Sequence, residues 1–445
     1  MSGGPGPSAG VSEAGAGGWA VEGVSDLAAG RRAGPGCLDA AWSALNGAGI
    51  RWALLRGSPD ATDGDIDLLV DADAGPLLDR TLAAAGFARL AAIGHGGHRF
   101  YRTYDEAVDQ WLTLDVVTEL AFGPGGWLRL AGAAGPVLQR RLTGDVAGSG
   151  VARLHPADAF WALLLHDLLD RGDLKPAHRR DLADLAPGAS VVAVLGQRVD
   201  AVGGTGTADR LVRLLSGPDD DPVLAAGRRL GKRWLRATAA DAIPRRIGHE
   251  VLRRLRKPHT ALRRRGIDVA VLGPDGAGKS TVAAALTGSV PMPTRTIYLG
   301  LYGSGLGGSK RLGLARRMAR LWGGWLRGLW HRLRGRIVVY DRHALDVRIA
   351  DRPRSAKGRI RRWILVHAIP NPALILVLDV PAEVLFARKG EHDVATLDRQ
   401  RRAYLAVAAS VHGAEVVDAA RDAESVRRDV IARTWARQTG TGPRG

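Results

Sequence analysis

The chain has 445 residues and one cysteine, with 46% hydrophobic residues, 24% charged residues and a formal net charge of +18. This length and composition are typical of a soluble globular protein with two or three domains, and they exclude a mostly disordered chain. Cys37 cannot form an intramolecular disulfide, and no apolar stretch is long enough to cross a bilayer. We expect a cytoplasmic protein, since no secretory leader is recognisable. The positive charge suits a polyanionic partner or a genome biased towards arginine.

The N-terminal part of the sequence predicts a tail and then a folded domain. Residues 1–36 are rich in Gly, Ala, Ser and Pro, which predicts a disordered tail. A helical pattern begins at Cys37, and a longer helical region follows Pro156. Strand-like apolar patterns cover residues 52–55, 65–70 and 111–117. The sequence therefore predicts an α/β domain with a helical subdomain over residues 37–227.

Basic residues cluster between the two predicted halves of the chain. They include the run Arg263-Arg264-Arg265, and we expect Pro244 and Pro258 to interrupt any long helix here. Residues 228–265 are predicted to be a basic connector, and residues 266–440 a second α/β domain.

A glycine-rich motif opens the second domain. Residues 267–272 predict a buried strand that leads into G-x-x-x-x-G-K-[ST] and then into an Ala/Leu-rich helix. In such a loop the backbone N–H groups and the helix N-terminus surround phosphates, so ATP and Mg²⁺ are the expected cofactors. Lys279 is expected to reach the β- and γ-phosphates, and Ser280 to bind Mg²⁺. The candidate nucleotide-binding residues are Gly273, Asp275, Gly276, Ala277, Gly278, Lys279, Ser280 and Thr281.

The second domain resembles thymidylate kinases in the order of its motifs. Asp275 lies where that family has an acidic residue, within G-x-D-G-x-G-K-[ST]. Residues 336–343 resemble the family's strand and D-R-[YHS] motif, and residues 370–381 resemble its later core strand. The resemblance implies a P-loop NTPase fold, with a parallel sheet and flanking helices, and kinase activity.

The resemblance also implies roles for individual residues. Asp341 would work near Mg²⁺, while the guanidinium of Arg342 would hold a phosphate. A lid residue, Arg388 in the first instance and Lys389 next, would stabilise the transferring phosphoryl group, unless this is only a solvated basic helix end. Together with Lys279, these residues are the catalytic candidates.

Two parts of the family pattern are missing. The Arg-Glu-Pro substrate loop is replaced by residues 296–300, and the arginine-rich helix that holds thymine is not recognisable. These absences put a dTMP acceptor in doubt. The expected acceptor is a dTMP-like nucleoside monophosphate or a related small phosphorylated molecule. The lid residues Arg388–Glu391 are similar to those of kinase-like proteins that accompany bacterial polysaccharide biosynthesis, which implies an acceptor from a glycan pathway.

An arginine-rich insertion occupies residues 309–334. Its aromatic residues, Trp322, Trp325 and Trp330, suit contact with an anionic membrane surface. They equally suit a core-facing Trp/Leu stripe beneath a solvated arginine face. We expect Gly323 and Gly324 to weaken a single continuous helix.

The first domain carries an acidic pattern that resembles the nucleotidyltransferase superfamily. The pattern consists of Gly57-Ser58, Asp65 and Asp67, and a third carboxylate, Asp115, on a later strand. Three such carboxylates can hold two Mg²⁺ ions for nucleotidyl transfer. A degenerate domain that only binds a nucleotide or a partner, or an acidic surface turn, would carry the same residues.

Three hypotheses follow for the whole chain. The first is ATP-dependent phosphoryl transfer to a small-molecule phosphate acceptor in the second domain. The second is nucleotidyl transfer in the first domain, and the third is an ATP-binding regulatory or membrane-associated protein. Thymidylate kinases generally pair, so a homodimer is expected by resemblance. Nucleic acid is not an expected partner, because no recognisable nucleic-acid-binding module is present.

Overall fold

The structure is a computed structural model that describes most of the chain. It describes residues 36–56, 65–90, 97–123, 125–143, 150–186, 193–263, 266–299, 312–349, 355–390 and 392–441. Most of the predicted tail, residues 1–35, lies outside these ranges, as do Gly57, Ser58 and residues 309–311 of the insertion. Among the described helices, none combines the length and apolar character needed to cross a membrane.

The first part of the chain folds into a mixed β-sheet with helices against it. In chain order its elements are α1 (Cys37–Gly47), β1 (Trp52–Arg56), β2 (Asp65–Val70), α2 (Gly75–Ala84), β3 (Ala88–Arg89), β4 (Arg99–Asp105), β5 (Gln110–Val117), β6 (Ala121–Phe122), β7 (Leu128–Arg129) and α3 (Ala134–Gln139). The described strands pair in the order β1-β2-β5-β4-β3. β2 and β5 run parallel with Asp67 beside Asp115, so the sheet itself brings two of the predicted carboxylates together.

A helical layer follows the mixed sheet. It consists of α4 (Pro156–Leu165), α5 (Pro176–Leu185), α6 (Val194–Gly203), α7 (Thr207–Leu215), α8 (Asp221–Ala237) and α9 (Ala239–Arg263). Phe160 and Leu164 are fully buried, as the helical spacing predicts. The predicted boundary after residue 227 falls inside α8, and Leu230 of that helix is buried in the same core as α4.

The expected interruption of the connector by proline is wrong. α9 runs from Ala239 to Arg263 as one helix and includes Pro244 and Pro258. A proline inside a helix removes only its own N–H hydrogen bond and displaces one carbonyl, so a long helix can continue as a bent helix around it.

The second part of the chain is a parallel sheet between two helical layers, as predicted. Its elements are β8 (Asp268–Leu272), α10 (Lys279–Ser289), β9 (Thr294–Tyr298), α11 (Leu312–Leu333), β10 (Ile337–Asp341), α12 (Ala356–Val366), β11 (Leu374–Asp379), α13 (Ala382–Lys389), α14 (Val394–Ser410), β12 (Ala414–Asp418) and α15 (Ala423–Thr439). The described strands lie in the order β12-β11-β8-β10-β9, and all pairs are parallel. β8 is buried on both faces, which is why its sequence is continuously apolar after Asp268.

α11 is continuous through Gly323 and Gly324, contrary to expectation. A Cβ atom on Gly324 would lie 2.2 Å from Cδ2 of Leu299, and one on Gly328 would lie 2.0 Å from the hydroxyl of Tyr340. These two glycines therefore let the helix approach the sheet closely, and the packing offsets their weak helix propensity.

The two parts of the chain meet at the β4–β5 hairpin. The indole Nε1 of Trp111 donates to the carbonyl of Ser289, the last residue of α10, at 2.9 Å. The Trp111 ring packs edge-on against Trp435 with centroids 4.9 Å apart, and Arg427 pairs with Asp109. The hairpin thus holds the helix that begins at the glycine-rich loop.

Candidate active site

The glycine-rich loop lies at the carboxyl end of the central strand β8. Gly273, Gly276 and Gly278 have φ angles of 154°, 89° and 91°, which residues with a Cβ atom rarely adopt. The loop leads directly into α10, whose first residue is Lys279. Backbone N–H groups at the start of a helix are unpaired within it, so this turn offers donors to an anion.

The side chain of Lys279 makes hydrogen bonds to three residues of the loop. Its Nζ donates to the carbonyls of Gly273 at 2.9 Å and Pro274 at 2.8 Å, and to Oδ1 of Asp275 at 3.2 Å. Burial lowers the pKa of Lys279, although the Asp275 carboxylate opposes this shift. These three contacts hold the ammonium group of Lys279 at the loop.

Arg342 reaches the same carboxylate from a neighbouring strand. It follows the end of β10 with a φ of 69°, a strained conformation for an arginine, and its Nη2 donates to Oδ1 of Asp275 at 2.9 Å. Burial acts to raise the pKa of Asp275, but the charges of Lys279 and Arg342 outweigh it and lower that pKa. The fold thus brings three predicted site residues into contact.

The two predicted magnesium ligands, Asp341 and Ser280, both lie at this edge of the sheet. Asp341 ends β10 beside Val271 of β8, and Ser280 lies in the first turn of α10. Among the described residues neither side chain makes a hydrogen bond, and their metal-binding role stays a prediction. Carboxylate and hydroxyl oxygens are the ligands that Mg²⁺ prefers.

The two lid candidates have different neighbours. The guanidinium of Arg388, at the end of α13, donates to the carbonyl of Ala419 at 3.4 and 3.5 Å. Lys389 lies nearer the loop, because a Cβ on Gly276 would be 3.6 Å from its Cβ, and its charge contributes to lowering the pKa of Asp275. In this arrangement Lys389 is closer to the loop than the first choice, Arg388, and both roles stay predictions.

Sequence reasoning missed a buried hydrogen-bonded group next to Arg342. Asp346 accepts from the backbone N–H of His343 at 3.1 Å and from the hydroxyl of Tyr404 at 3.1 Å. Burial raises the pKa of Asp346, and burial also lowers the pKa of His343 to about 4. The three-residue spacing of His343 and Asp346 forms a capping box and was a readable signal, whereas the distant Tyr404 gave none.

The predicted carboxylates of the first domain already have basic partners. Nε of Arg56 lies 2.8 Å from Asp67, and Nδ1 of His98 lies 2.8 Å from Asp115. The hydrogen bond to Asp115 raises the pKa of His98 against the effect of burial. Burial raises the pKa of the Asp65 carboxyl group. His98 has no sequence signal, since it is a single histidine outside any motif.

A cavity of about 430 Å³ is lined by Arg56 and His98, the partners of Asp67 and Asp115. It lies between the mixed sheet, the β6–β7 hairpin and α9, and most of its ionisable lining is basic. These lining side chains are Arg56, His98, Arg129, Arg245 and His249, with Glu119 as the acidic member. Within the described ranges, no group of three or more His, Cys, Asp or Glu side chains is arranged to hold a metal ion. The metal-binding role of Asp65, Asp67 and Asp115 stays a prediction.

Comparisons with known proteins add little to this geometry. Neither the protein-family models nor the curated proteins include a significant match to the chain. Among solved structures, a thymidylate kinase from Candida albicans matches at 17% sequence identity and a TM-score of 0.31, over 37% of this chain and 89% of that chain. A similarity at this level carries no conclusion about activity, so function is judged from the chemistry of the site.

Proposed function

We propose that residues 266–440 form an ATP-dependent phosphotransferase that moves the γ-phosphate of ATP to a small acceptor. The supporting observation is the convergence of Lys279 and Arg342 on Asp275 at the glycine-rich loop. One cation comes from the loop and the other from the end of an adjacent strand. Two cations that meet at a phosphate cradle are the arrangement that phosphoryl transfer requires.

The residues would act mainly by positioning. A triphosphate in the loop would compete with Asp275 for the ammonium of Lys279, because its oxygens carry more charge. Arg342 would then be free to bridge transferring and accepting phosphates with its planar guanidinium. Mg²⁺ held by Ser280 and Asp341 would neutralise charge on the phosphate oxygens. In-line alignment of the reacting groups supplies most of the rate enhancement in such sites.

The acceptor we propose is a nucleoside monophosphate such as dTMP, or a related phosphorylated intermediate of a glycan pathway. Arg342 favours an acceptor that itself carries a phosphate, since a guanidinium matches phosphate bidentately. The missing Arg-Glu-Pro loop leaves the base or sugar of the acceptor open.

The test is release of ADP from ATP and Mg²⁺ by the purified chain, against dTMP, other nucleoside monophosphates and sugar phosphates. We expect one acceptor to stimulate release, and Lys279→Ala to reduce it at least about 100-fold. Lys232→Ala, an exposed lysine on α8, is the matched control and should behave as wild type. Stimulation that survives in Lys279→Ala would contradict the proposal. ATP binding without any phosphorylated product would favour a regulatory switch.

The cavity of about 430 Å³ lined by Arg56 and His98 favours nucleotidyl transfer as a second candidate activity. Its basic lining would hold a triphosphate, and Asp65, Asp67 and Asp115 would have to exchange their present partners for metal ions. The readout is pyrophosphate release from nucleoside triphosphates, measured in Lys279→Ala protein so that the other site is silent. Pyrophosphate release that the double variant Asp65→Asn/Asp67→Asn abolishes would support it. Absence of pyrophosphate with all four ribonucleoside triphosphates would count against it.

A further inference from the structure

α11 packs against the parallel sheet with one face only. Leu321 is fully buried, Trp325 is partly buried against the same core, and Gly324 and Gly328 allow the close approach to Leu299 and Tyr340. The core-facing stripe that the sequence allowed is therefore present. It accounts for one of the three tryptophans of the helix.

The opposite face carries an apolar stripe that is exposed. Its members recur at intervals of four, four and three residues, which places them along one side of a helix. They are Trp322, Leu326, Trp330 and Leu333, with exposed fractions of 49%, 51%, 55% and 63%. Four large apolar side chains in one row are more than a monomer's surface usually presents without a partner.

The same helix is strongly basic. Leu312–Leu333 contains no Asp or Glu, and its arginines are Arg316, Arg317, Arg320, Arg327 and Arg332. Arg332 pairs with Asp268 in the core, and the guanidinium of Arg334, just beyond the helix, lies 4.1 Å from the centre of the Trp330 ring. The exposed stripe therefore lies on a helix whose charged side chains are all basic.

A second exposed stripe, on α9, differs in this respect. Ile243, Ile247 and Val251 are exposed at intervals of four, but the acidic residues of α9 pair with its arginines. The two pairs are Asp241 with Arg245 and Glu250 with Arg254. Both helices are basic and expose apolar side chains, but α11 contains no acidic residue and its stripe includes two tryptophans, whereas the α9 stripe has none.

We propose that the Trp322–Leu333 face of α11 docks on an anionic lipid surface. Such a surface supplies negative headgroups for the arginines and an apolar boundary for the Trp and Leu side chains. Tryptophan prefers this boundary because its ring is apolar and its N–H is polar. A second copy of this chain fits less well, because pairing the same stripe would bring together two basic helices on chains of net charge +18.

The experiment is flotation of the full chain with vesicles of phosphatidylserine and phosphatidylcholine, compared with phosphatidylcholine alone. We expect binding to the anionic vesicles only, weakening as salt is raised. Trp322→Ala/Trp330→Ala should lower the bound fraction at least about tenfold, since two buried indoles are lost from the interface. Ile243→Ala/Ile247→Ala on α9 is the matched apolar control and should bind as wild type.

Two double variants that each remove two arginines test the role of positive charge. Arg316→Gln/Arg327→Gln should weaken binding, whereas Arg228→Gln/Arg229→Gln on α8 removes the same charge elsewhere and should not. Leu326→Glu tests the stripe with an exposed, helix-compatible residue and should also abolish binding, with thermal unfolding measured by circular dichroism to confirm the fold. Equal binding to uncharged vesicles would overturn the proposal. So would equal loss in both charge variants, or a homodimer that dissociates on Trp322→Ala/Trp330→Ala.

Discussion

The glycine-rich loop and the carboxylate cluster of the first domain both pair acids with cations, but in opposite proportions. At the loop, Lys279 and Arg342 share the single carboxylate of Asp275. In the first domain Asp67 pairs with Arg56 and Asp115 with His98, and the neighbouring Asp65 adds a further carboxylate. Among these contacts, cations outnumber carboxylates at the loop, whereas carboxylates outnumber their basic partners in the first domain.

This difference bears on what each region can bind without help. Positive side chains and free helix N–H groups attract a phosphate directly. The three carboxylates would repel a phosphate unless metal ions or protons neutralised them. The basic side chains that line the neighbouring cavity would attract it. We therefore place phosphate chemistry first at the loop, and the predictions below test that order.

The largest effect should come from Arg342→Gln. The variant keeps hydrogen-bonding capacity but loses the charge that meets the phosphates, so acceptor-dependent ADP release should fall at least about 100-fold in kcat/KM. Arg402→Gln, a mostly exposed arginine on α14, is the control and should change kcat/KM less than about twofold. If the two variants had the same rate, Arg342 would have no role in transfer. Asp65→Asn/Asp67→Asn should leave this activity intact.

Trp111→Ala should test whether the contact between the two parts of the chain stabilises the fold. It removes the ring packed on Trp435 and the hydrogen bond to Ser289, so we expect a loss of about 2–3 kcal/mol in unfolding free energy, somewhat below that of a fully buried tryptophan. Urea unfolding followed by circular dichroism measures it. Trp363→Ala, 64% exposed on α12, should cost less than about 0.5 kcal/mol. Equal effects would show that the hairpin contact contributes little.

Asp275→Asn should have a smaller and opposite effect on nucleotide affinity. The Asp275 carboxylate occupies Lys279 and Arg342 and would repel a triphosphate, so ATP should bind about two- to fivefold tighter in the variant, a value reduced for partial exposure. Calorimetric titration with ATP measures the change. Weaker binding would mean that Asp275 assists the nucleotide instead of competing with it.

The smallest effect concerns His98 and Asp115. The hydrogen bond to Asp115 raises the pKa of His98, so this pair stabilises the fold fully below the ordinary histidine pKa and loses its contribution as pH rises through the folded value. Asp115→Asn should therefore cost about 0.5 kcal/mol at pH 5.5, a value discounted for partial solvent exposure, and less at pH 9. Urea unfolding at both pH values measures this, with an NMR titration of His98 alongside. A larger loss at pH 9 would exclude the charged pair as its cause.

Much of the loop site was readable because its chemistry is local in sequence. The glycines, Lys279 and Ser280 are consecutive or nearly so, and the strand before them and the helix after them fix their geometry. Arg342 was found through a short motif after a continuously apolar strand. The carboxylates Asp67 and Asp115 were found as alternating strand residues, and their pairing needed only two parallel strands in register.

Other features depended on contacts between distant residues. The bond from Tyr404 to Asp346, the His98 partner of Asp115 and the packing of Trp111 on Trp435 join segments with no shared motif. The neighbours of Arg388 and Lys389 depended on where α13 ends relative to the loop. Helix propensity predicted interruptions in α9 and α11 that the structure does not have. Packing at Gly324 and Gly328 stabilises α11, and α9 continues through its two prolines; neither outcome is set by the local sequence.

The sequence by itself determined the parallel α/β architecture of the second domain and the position of the glycine-rich loop, since buried strands and glycine turns leave continuous patterns. Tertiary structure alone decided which cations meet at Asp275, which face of α11 stays exposed, and how the two regions touch. The physical reason is that side-chain partners are chosen by proximity after folding, whereas secondary structure and tight turns are constrained by backbone sterics within a few residues.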